Sequence, residues 1–68
     1  MKLYIDNEEI TLQSNDETEI EEFNYVCSTH NIKTKTNRLN YPVAKADDYT
    51  LYHLLITLTC RNGHIDIH

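Results

Sequence analysis

The sequence has little of what marks loops, linkers and cross-linked scaffolds. Its 68 residues include one glycine, one proline, two cysteines and no tryptophan. So few chain-breaking residues leave no room for an interdomain linker, and two cysteines are too few for a disulfide framework or a four-cysteine zinc site. We therefore expect a single domain over residues 1–68, with Cys27 and Cys60 as buried free thiols.

Long apolar runs are also missing. No segment approaches the roughly 18 consecutive apolar residues of a membrane span. Met1, Lys2 and Leu3 lead into an alternating pattern rather than into the apolar core of a signal peptide. These features predict a cytoplasmic protein that does not associate with membranes.

Positive charge is scarce and confined to one part of the chain. Residues 1–30 contain eight acids and one lysine, residues 31–46 contain four cations and no acid, and residues 47–68 contain three acids and one arginine. The three segments therefore carry −7, +4 and −2, which sum to the net charge of −5. This layout disfavours non-specific binding to nucleic acid, above all to duplex DNA, because phosphate attraction requires a broad basic surface.

The N-terminal segment predicts a β-hairpin. If Asn7-Glu8 forms the turn, Ile5 faces Ile10 and Leu3 faces Leu12. One register then places the apolar residues of both strands on the same face.

A helix follows, beginning between Ser14 and Thr18. The pairs Ser14/Glu17 and Thr18/Glu21 both have the spacing of a capping box. An apolar stripe at helical spacing comes next, formed by Ile20, Phe23, Val26, Cys27 and His30. Asn31 accepts the left-handed conformation that ends many helices.

The basic segment predicts an edge strand and then a loop. Residues 32–36 alternate Ile and Thr with Lys33 and Lys35, which is typical of a strand with a charged outer edge. Residues 38–46 have no clear periodicity, and Pro42 excludes a central strand there.

The C-terminal segment, residues 49–68, predicts a second hairpin. Asn62-Gly63 supplies the two positive-φ residues of a type I′ turn, which pairs Cys60 with Ile65 and Leu58 with Ile67. The competing interpretation is a helix from Asp47, with one side formed by Tyr49, Tyr52, Leu55 and Ile56. The threonines and aromatic residues of the segment favour the strand.

Together these elements predict an α+β fold with a small antiparallel sheet and one helix packed on one face. The expected order is β-hairpin, helix, edge strand, loop and β-hairpin. The expected core comprises the inward residues of these elements: Leu3, Ile5, Ile10, Leu12, Ile20, Phe23, Val26, Cys27, Tyr52, Leu54, Ile56, Leu58, Cys60, Ile65 and Ile67.

The long C-terminal strand is apolar on both faces, with Tyr49, Leu51 and Leu55 on the second one. A strand of this kind is normally covered on both sides, and one helix covers only one. We therefore predict a homodimer through these three residues, the alternative being that the Pro42 loop covers them within one chain.

No arrangement of residues indicates an enzyme. His64, Asp66 and His68 alternate along the last predicted strand and could ligate a metal, but a fourth ligand is missing. Both cysteines are expected in the core, so neither is an accessible nucleophile, although His30 lies one helical turn from Cys27. We predict no catalytic residues, no cofactor and no metal.

Two binding functions remain, and no motif is specific enough to assign a family. In the first, carboxylates in rows resemble the phosphates of nucleic acid and bind a host nucleic-acid-handling protein, as an anti-CRISPR or anti-restriction inhibitor from a phage or mobile element does. The carboxylates in question are Asp6, Glu8, Glu9, Asp16, Glu17, Glu19, Glu21 and Glu22. The chain is rich in Asn, Ile, Thr and Tyr, which is typical of AT-rich genomes such as those of low-GC bacteria and their phages.

The alternative interpretation is a single-stranded nucleic-acid-binding accessory protein. Lys33, Lys35, Arg38 and Tyr41 interleave cations with an aromatic ring, as proteins that bind single strands do. A purely structural or oligomerisation module, with no inhibitory role, is the third interpretation.

Overall fold

A computed structural model describes residues 1–68 as a five-stranded sheet with two helices on one face. The elements in chain order are β1 (Lys2–Asp6), β2 (Glu9–Leu12), α1 (Glu17–Thr29), β3 (Thr34–Thr36), β4 (Pro42–Lys45), α2 (Asp48–Asn62) and β5 (Asp66–Ile67). The strand order across the sheet is β3-β4-β2-β1-β5. The α+β class with a small sheet and helical packing on one face is confirmed. Neither helix has the length and apolarity that crossing a bilayer requires.

The N-terminal hairpin has the predicted register. Leu3 pairs with Leu12 and Ile5 with Ile10. Asn7 and Glu8 have φ values of 39° and 63°, so both turn residues are left-handed, as a type I′ turn requires. The turn therefore forms with Glu at its second position, where glycine is the usual residue.

Helix α1 begins and ends where the sequence predicts. Its N-cap is Asp16, whose carboxylate accepts hydrogen bonds from the amides of Thr18 at 2.8 Å and Glu19 at 3.3 Å. Ser14 supports this cap from one side by donating to the Glu19 carboxylate at 2.8 Å. At the other end Asn31 has a φ of 60°, the left-handed conformation expected of it.

The predicted loop at residues 38–46 is wrong in its second half, because Pro42–Lys45 forms the strand β4. β4 lies between β3 and β2, while β3 is the edge strand that the sequence predicts. Proline is tolerated because it is the first residue of the strand. Pro42 is paired only with Thr36 of β3, and pairing with β2 starts at Val43, so the missing N–H removes no bond to β2.

The predicted C-terminal hairpin is also wrong, since most of the segment is α2. The Asp47 carboxylate caps the helix by accepting a hydrogen bond from the Thr50 amide at 2.8 Å. Gly63, with a φ of 79°, ends the helix and donates its amide to the Thr59 carbonyl at 2.8 Å. The Asn62-Gly63 pair therefore terminates a helix instead of turning a hairpin.

The last strand pairs differently from the prediction. β5 lies parallel to β1, with Lys2 beside Asp66 and Leu3 beside Ile67. The sheet is therefore mixed and not wholly antiparallel, because a strand that follows a helix returns to the sheet by a crossover.

One cluster of eleven buried residues forms the core between the sheet and the two helices. Its members are Leu3, Ile10, Leu12, Phe23, Val26, Cys27, Ile32, Ala44, Leu51, Leu54 and Leu58. The expected core residues of the two hairpins are only partly confirmed. Exposed instead are Ile5, Tyr52, Ile56, Cys60 and Ile67. Most of these errors share one cause: helical geometry turns Tyr52, Ile56 and Cys60 away from Leu54 and Leu58, with which a strand would have aligned them.

Candidate interaction surfaces

Both helices pack on the same face of the sheet, so the opposite face is open. The register aligns Tyr4, Thr11, Val43 and Lys35 in one row across four strands of that open face. Tyr4 keeps 45% of its surface exposed there. Because the helices and the sheet form two layers, the molecule has three kinds of outer surface: the open sheet face, the outer sides of the two helices and the loops at either end.

The predicted acidic residues do not form one continuous surface. Asp6, Glu8 and Glu9 lie at the β1–β2 turn, whereas α1 begins beyond the far end of β2. The 13 residues of α1 span about 20 Å, nearly the full 26 Å length of the molecule. The structure thus divides the eight carboxylates into a turn group and a group at the start of α1.

Some carboxylates of the α1 group already have partners within the chain. Glu22 accepts two hydrogen bonds from the Arg61 guanidinium, at 2.8 and 2.9 Å, and one from Asn62 at 3.1 Å. The Arg61 hydrogen bonds lower the pKa of Glu22 below its usual value. Glu19 lies 3.5 Å from the amino group of Met1.

Three carboxylates of the α1 group have no ion-pair partner, namely Asp16, Glu17 and Glu21. All three are exposed, and Glu17 and Glu21 lie one helical turn apart on the outer side of α1. We call these three residues the α1 acidic surface. The molecule contains two ion pairs, Met1 amino–Glu19 and Arg61–Glu22, and a His64–Asp66 contact that is an ion pair only when the imidazole is protonated. Eight of its eleven acids take part in none of these three contacts. Unpaired carboxylates therefore dominate the charge at the start of α1.

The predicted basic residues come together on the two strands at one edge of the sheet. Lys35 of β3 and Lys45 of β4 share the open face with Val43. Lys33, Lys35 and Lys45 line a cleft of about 600 Å³ beside the N-terminus of α2. Tyr41 precedes β4 and, by strand alternation, belongs to the same face, whereas Arg38 lies in the β3–β4 connection.

The cleft is not uniformly positive. The carboxylates of Glu9 and Asp47 and the imidazole of His30 also line it. The pKa of Asp47 is lowered because its carboxylate accepts the hydrogen bonds of Thr50 at the helix cap. Each carboxylate offsets part of the lysine charge, so the net attraction for an anion within the cleft is modest.

The three residues of the predicted dimer interface have different environments. Leu51 is buried in the core at 5% exposure, and Leu55 packs partly against the core. Tyr49 is 73% exposed. The interface was predicted because a strand would place these three residues on a second apolar face. The segment is a helix, so that face does not exist.

The exposed apolar residues of α2 that the strand interpretation missed are Tyr52 at 62% and Ile56 at 43% exposure. With Tyr49 they follow helical spacing of three and four residues along the outer side of α2. That spacing is visible in the sequence and identifies the stripe once the segment is taken as a helix. We call Tyr49, Tyr52 and Ile56 the α2 outer stripe.

The remaining candidate groups, the histidines and the cysteines, make local contacts within the chain. His64 contacts Asp66 at 2.7 Å, but no group of three or more potential metal ligands forms. His30 contacts the Thr57 hydroxyl at 2.9 Å. Burial raises the pKa of the Cys27 thiol to about 12, so this thiol is protonated at neutral pH. Cys60 is exposed, contrary to prediction.

Comparisons with protein-family models, with curated proteins and with solved structures found no match. The functional conclusion therefore depends on the surfaces described above. Those with distinctive chemistry are the α1 acidic surface, the basic strands β3 and β4, and the α2 outer stripe.

Proposed function

We propose that the protein is a non-catalytic inhibitor, of the phage or mobile-element type, that binds a host nucleic-acid-handling protein through the α1 acidic surface. The observation that carries the proposal is the unpaired negative charge at the start of α1. Asp16, Glu17 and Glu21 are exposed and unpaired, and the one cation of the helical layer, Arg61, already binds Glu22. The negative field at the start of α1 is therefore not neutralised within the chain.

Such a field suits a basic partner. Proteins that bind nucleic acid carry Lys and Arg along a groove, and a carboxylate-rich surface is attracted to that groove from a distance. Charge complementarity of this kind raises the association rate and excludes acidic partners. Glu17 and Glu21 stand about 6 Å apart on one side of the helix, so two cationic side chains of a groove can meet them together.

A plasmid-transformation assay tests the proposal. Cells with an active restriction or CRISPR system are transformed with a targeted plasmid, with and without the protein. We expect the protein to raise the transformation efficiency, and Glu17→Gln with Glu21→Gln to reduce that gain at least tenfold, because both unpaired charges are lost. Lys33→Gln with Lys35→Gln is the control and should retain protection. An intact, expressed wild type that protects against none of the systems would contradict the proposal.

A second candidate function is binding of single-stranded nucleic acid by the open sheet face. The specific observation in its favour is that Lys35, Lys45 and Tyr41 share one face with the exposed ring of Tyr4. Exposed rings on a sheet provide stacking surfaces for bases, and lysines contact the phosphates. The two functions use different surfaces of the molecule.

One titration separates the two candidates. Labelled single-stranded DNA or RNA is titrated with the protein at 50 and 200 mM salt. Four phosphate contacts predict an affinity that falls by roughly fiftyfold between these concentrations, and Lys35→Gln should weaken binding. The inhibitor proposal predicts no measurable binding at either concentration.

A further inference from the structure

Helix α2 is apolar on two opposite sides. Leu51, Leu54 and Leu58 face the core, and the outer stripe Tyr49, Tyr52 and Ile56 has similar spacing with a shift of two residues. Two residues correspond to about 200° around a helix, so the two stripes lie nearly opposite each other. A surface helix normally carries polar residues opposite its core side, so a second apolar stripe there indicates a contact surface.

The outer side of α2 also lacks charge. Residues 49–60 contain no Asp, Glu, Lys or Arg, in a chain in which 25% of residues are charged. Depletion of charge and enrichment in tyrosine are the compositional marks of the centre of a protein–protein interface. The outer side of α1, by contrast, carries Glu17 and Glu21 and needs no partner to cover it.

The aromatic residues of the stripe are held in place before any partner binds. The imidazole of His53 packs edge-on against Tyr49, with ring centroids 4.5 Å apart, and against Tyr52 at 6.0 Å. Side chains fixed in this way lose less conformational entropy when they are covered, which favours association.

We propose that the α2 outer stripe is the interface of a homodimer in which the α2 helices of two copies pack antiparallel around a two-fold axis. This inference does not depend on the proposed inhibitory function. The proposed interface differs from the one predicted for a strand, which included Leu51. Leu51 is buried in the core, and the outer stripe lies on the opposite side of α2.

Charge favours a second copy as the occupant. Each copy carries −5, so two copies repel each other wherever their acidic surfaces meet. The outer side of α2 is an extended surface without formal charge. In an antiparallel pair the dipoles of the two α2 helices oppose each other favourably.

The stripe is self-complementary. Tyr52 and Ile56 lie at equal distances along the chain from residue 54, so a two-fold axis at that level places Tyr52 of each copy against Ile56 of the other. Tyr49 then meets the uncharged, exposed Thr59 of the second copy. No charged side chain is buried in this arrangement.

The available area sets the expected affinity. With about 200 Å² for a fully exposed tyrosine and somewhat less for isoleucine, the stripe exposes about 350 Å² per copy. With the flanking His53, Thr59 and Cys60, the total area buried from both copies falls in the class below about 1,200 Å². We therefore expect a reversible dimer that dissociates at roughly micromolar to tens of micromolar concentration.

Sedimentation equilibrium over a wide concentration range tests the proposal on the full chain. The wild type should shift from 8.0 kDa to twice that mass as concentration rises through the micromolar range. Tyr52→Glu and Ile56→Glu should each raise the dissociation constant at least tenfold without changing the circular dichroism spectrum, because both residues lie outside the core. Tyr25→Glu is the matched control, since Tyr25 is a helical tyrosine of similar exposure, 56%, on α1, and it should dimerise like the wild type.

Two results would overturn the inference. One is a wild type that stays monomeric at millimolar concentration, which would leave the stripe to a different protein. The other is a dimer that survives both Tyr52→Glu and Ile56→Glu, which would place the interface elsewhere.

Chemical cross-linking tests the orientation of the helices. In an antiparallel pair the two Cys60 thiols lie roughly 18 Å apart along the helix axis, so a short thiol-specific cross-linker should not join two wild-type chains. Tyr49→Cys places a new thiol near Cys60 of the second copy and should give a covalent dimer. Efficient cross-linking of the wild type would show a parallel pair and contradict the proposed geometry.

Discussion

The two helices lie in the same layer, yet their outer sides differ in chemistry. α1 buries Phe23, Val26 and Cys27, and α2 buries Leu51, Leu54 and Leu58. Their contributions to the core are similar, so the core does not determine what each helix presents to solvent. α1 presents carboxylates and α2 presents tyrosines and an isoleucine without charge. The outer sides are therefore where functional differences between the helices arise.

The largest expected effect is a difference in stability between substitutions on the core side and on the outer side of α2. Leu58 is fully buried and Ile56 is 43% exposed, although a strand would place both on the core face. Leu58→Ala should lower the free energy of unfolding by about 2–5 kcal/mol, enough to unfold most molecules of so small a domain. Ile56→Ala should cost well under about 1 kcal/mol. Thermal and urea denaturation measure both, and equal losses would contradict the helix.

The two cysteines, one on each helix, give the next largest contrast. Cys27 is buried with a raised pKa, and Cys60 is exposed. At pH 8 a thiol reagent should modify Cys60 roughly a hundredfold faster than Cys27 or more, because the reaction requires an accessible thiolate. Mass spectrometry should find one fast site, and Cys60→Ser should remove it. Two fast sites would show that α1 does not bury Cys27.

The cap of α1 predicts a smaller effect. Asp16→Ala removes the acceptor of two backbone amides and should cost about 1 kcal/mol. Asp16→Asn keeps an acceptor oxygen and is the matched control, with a loss of a few tenths of a kcal/mol. Urea denaturation distinguishes them, and equal losses from both variants would attribute the effect to charge instead of capping.

The smallest expected effect concerns the ion pair that joins the helices. The folded state lowers the pKa of Glu22 below its ordinary value of 4.5, chiefly through the Arg61 hydrogen bonds. The stabilisation that ionised Glu22 provides is therefore fully present above pH 4.5. It is lost as the pH falls through the lower pKa of Glu22 in the folded state. Glu22→Gln should lower the melting temperature by about 4 °C or less at pH 7. A loss that persisted undiminished at pH 2 would exclude the ion pair as its cause.

The first half of the fold can be predicted from the sequence because the local pattern of each element there is compatible with only one structure. In the first hairpin the alternating pattern and the turn agree on one register. Asp16 and Asn31 then bound α1 with cap residues suited to those positions. Such agreement between local preference and tertiary packing is what makes a segment predictable.

The second half of the fold is harder to predict because each of its local signals is compatible with two structures. Asn62-Gly63 suits a type I′ turn, but a left-handed glycine equally ends a helix. Leu51, Leu54, Leu55 and Leu58 have helical spacing, yet they also fall within a run that reads as a doubly apolar strand. The threonines and tyrosines favour a strand by their β propensity. The Asp47 cap and the helical spacing of the leucines outweigh that preference, and the segment is a helix.

The candidate surfaces were predicted less well than the fold. The pairing of β3 with β4 places Lys35 and Tyr41 on one face, as nucleic-acid binding requires. Glu8 and Glu17, in contrast, lie beyond opposite ends of β2. Which charges meet depends on the order of strands, and the sequence neither revealed β4 nor placed β5 beside β1. Spacing along the chain fixes neighbours within one element only.

The parallel pairing of β5 with β1 has a consequence for how the molecule opens. β5 has two residues and is held by few hydrogen bonds, among them Asp66 amide to Met1 carbonyl and His68 amide to Leu3 carbonyl, both 2.9 Å. Closing the chain between its first and last strands has a larger entropic cost than any hairpin closure. β5 should therefore detach by local unfolding at far lower free energy than global unfolding, so that the amides of Asp66 and His68 exchange with deuterium before those of β2.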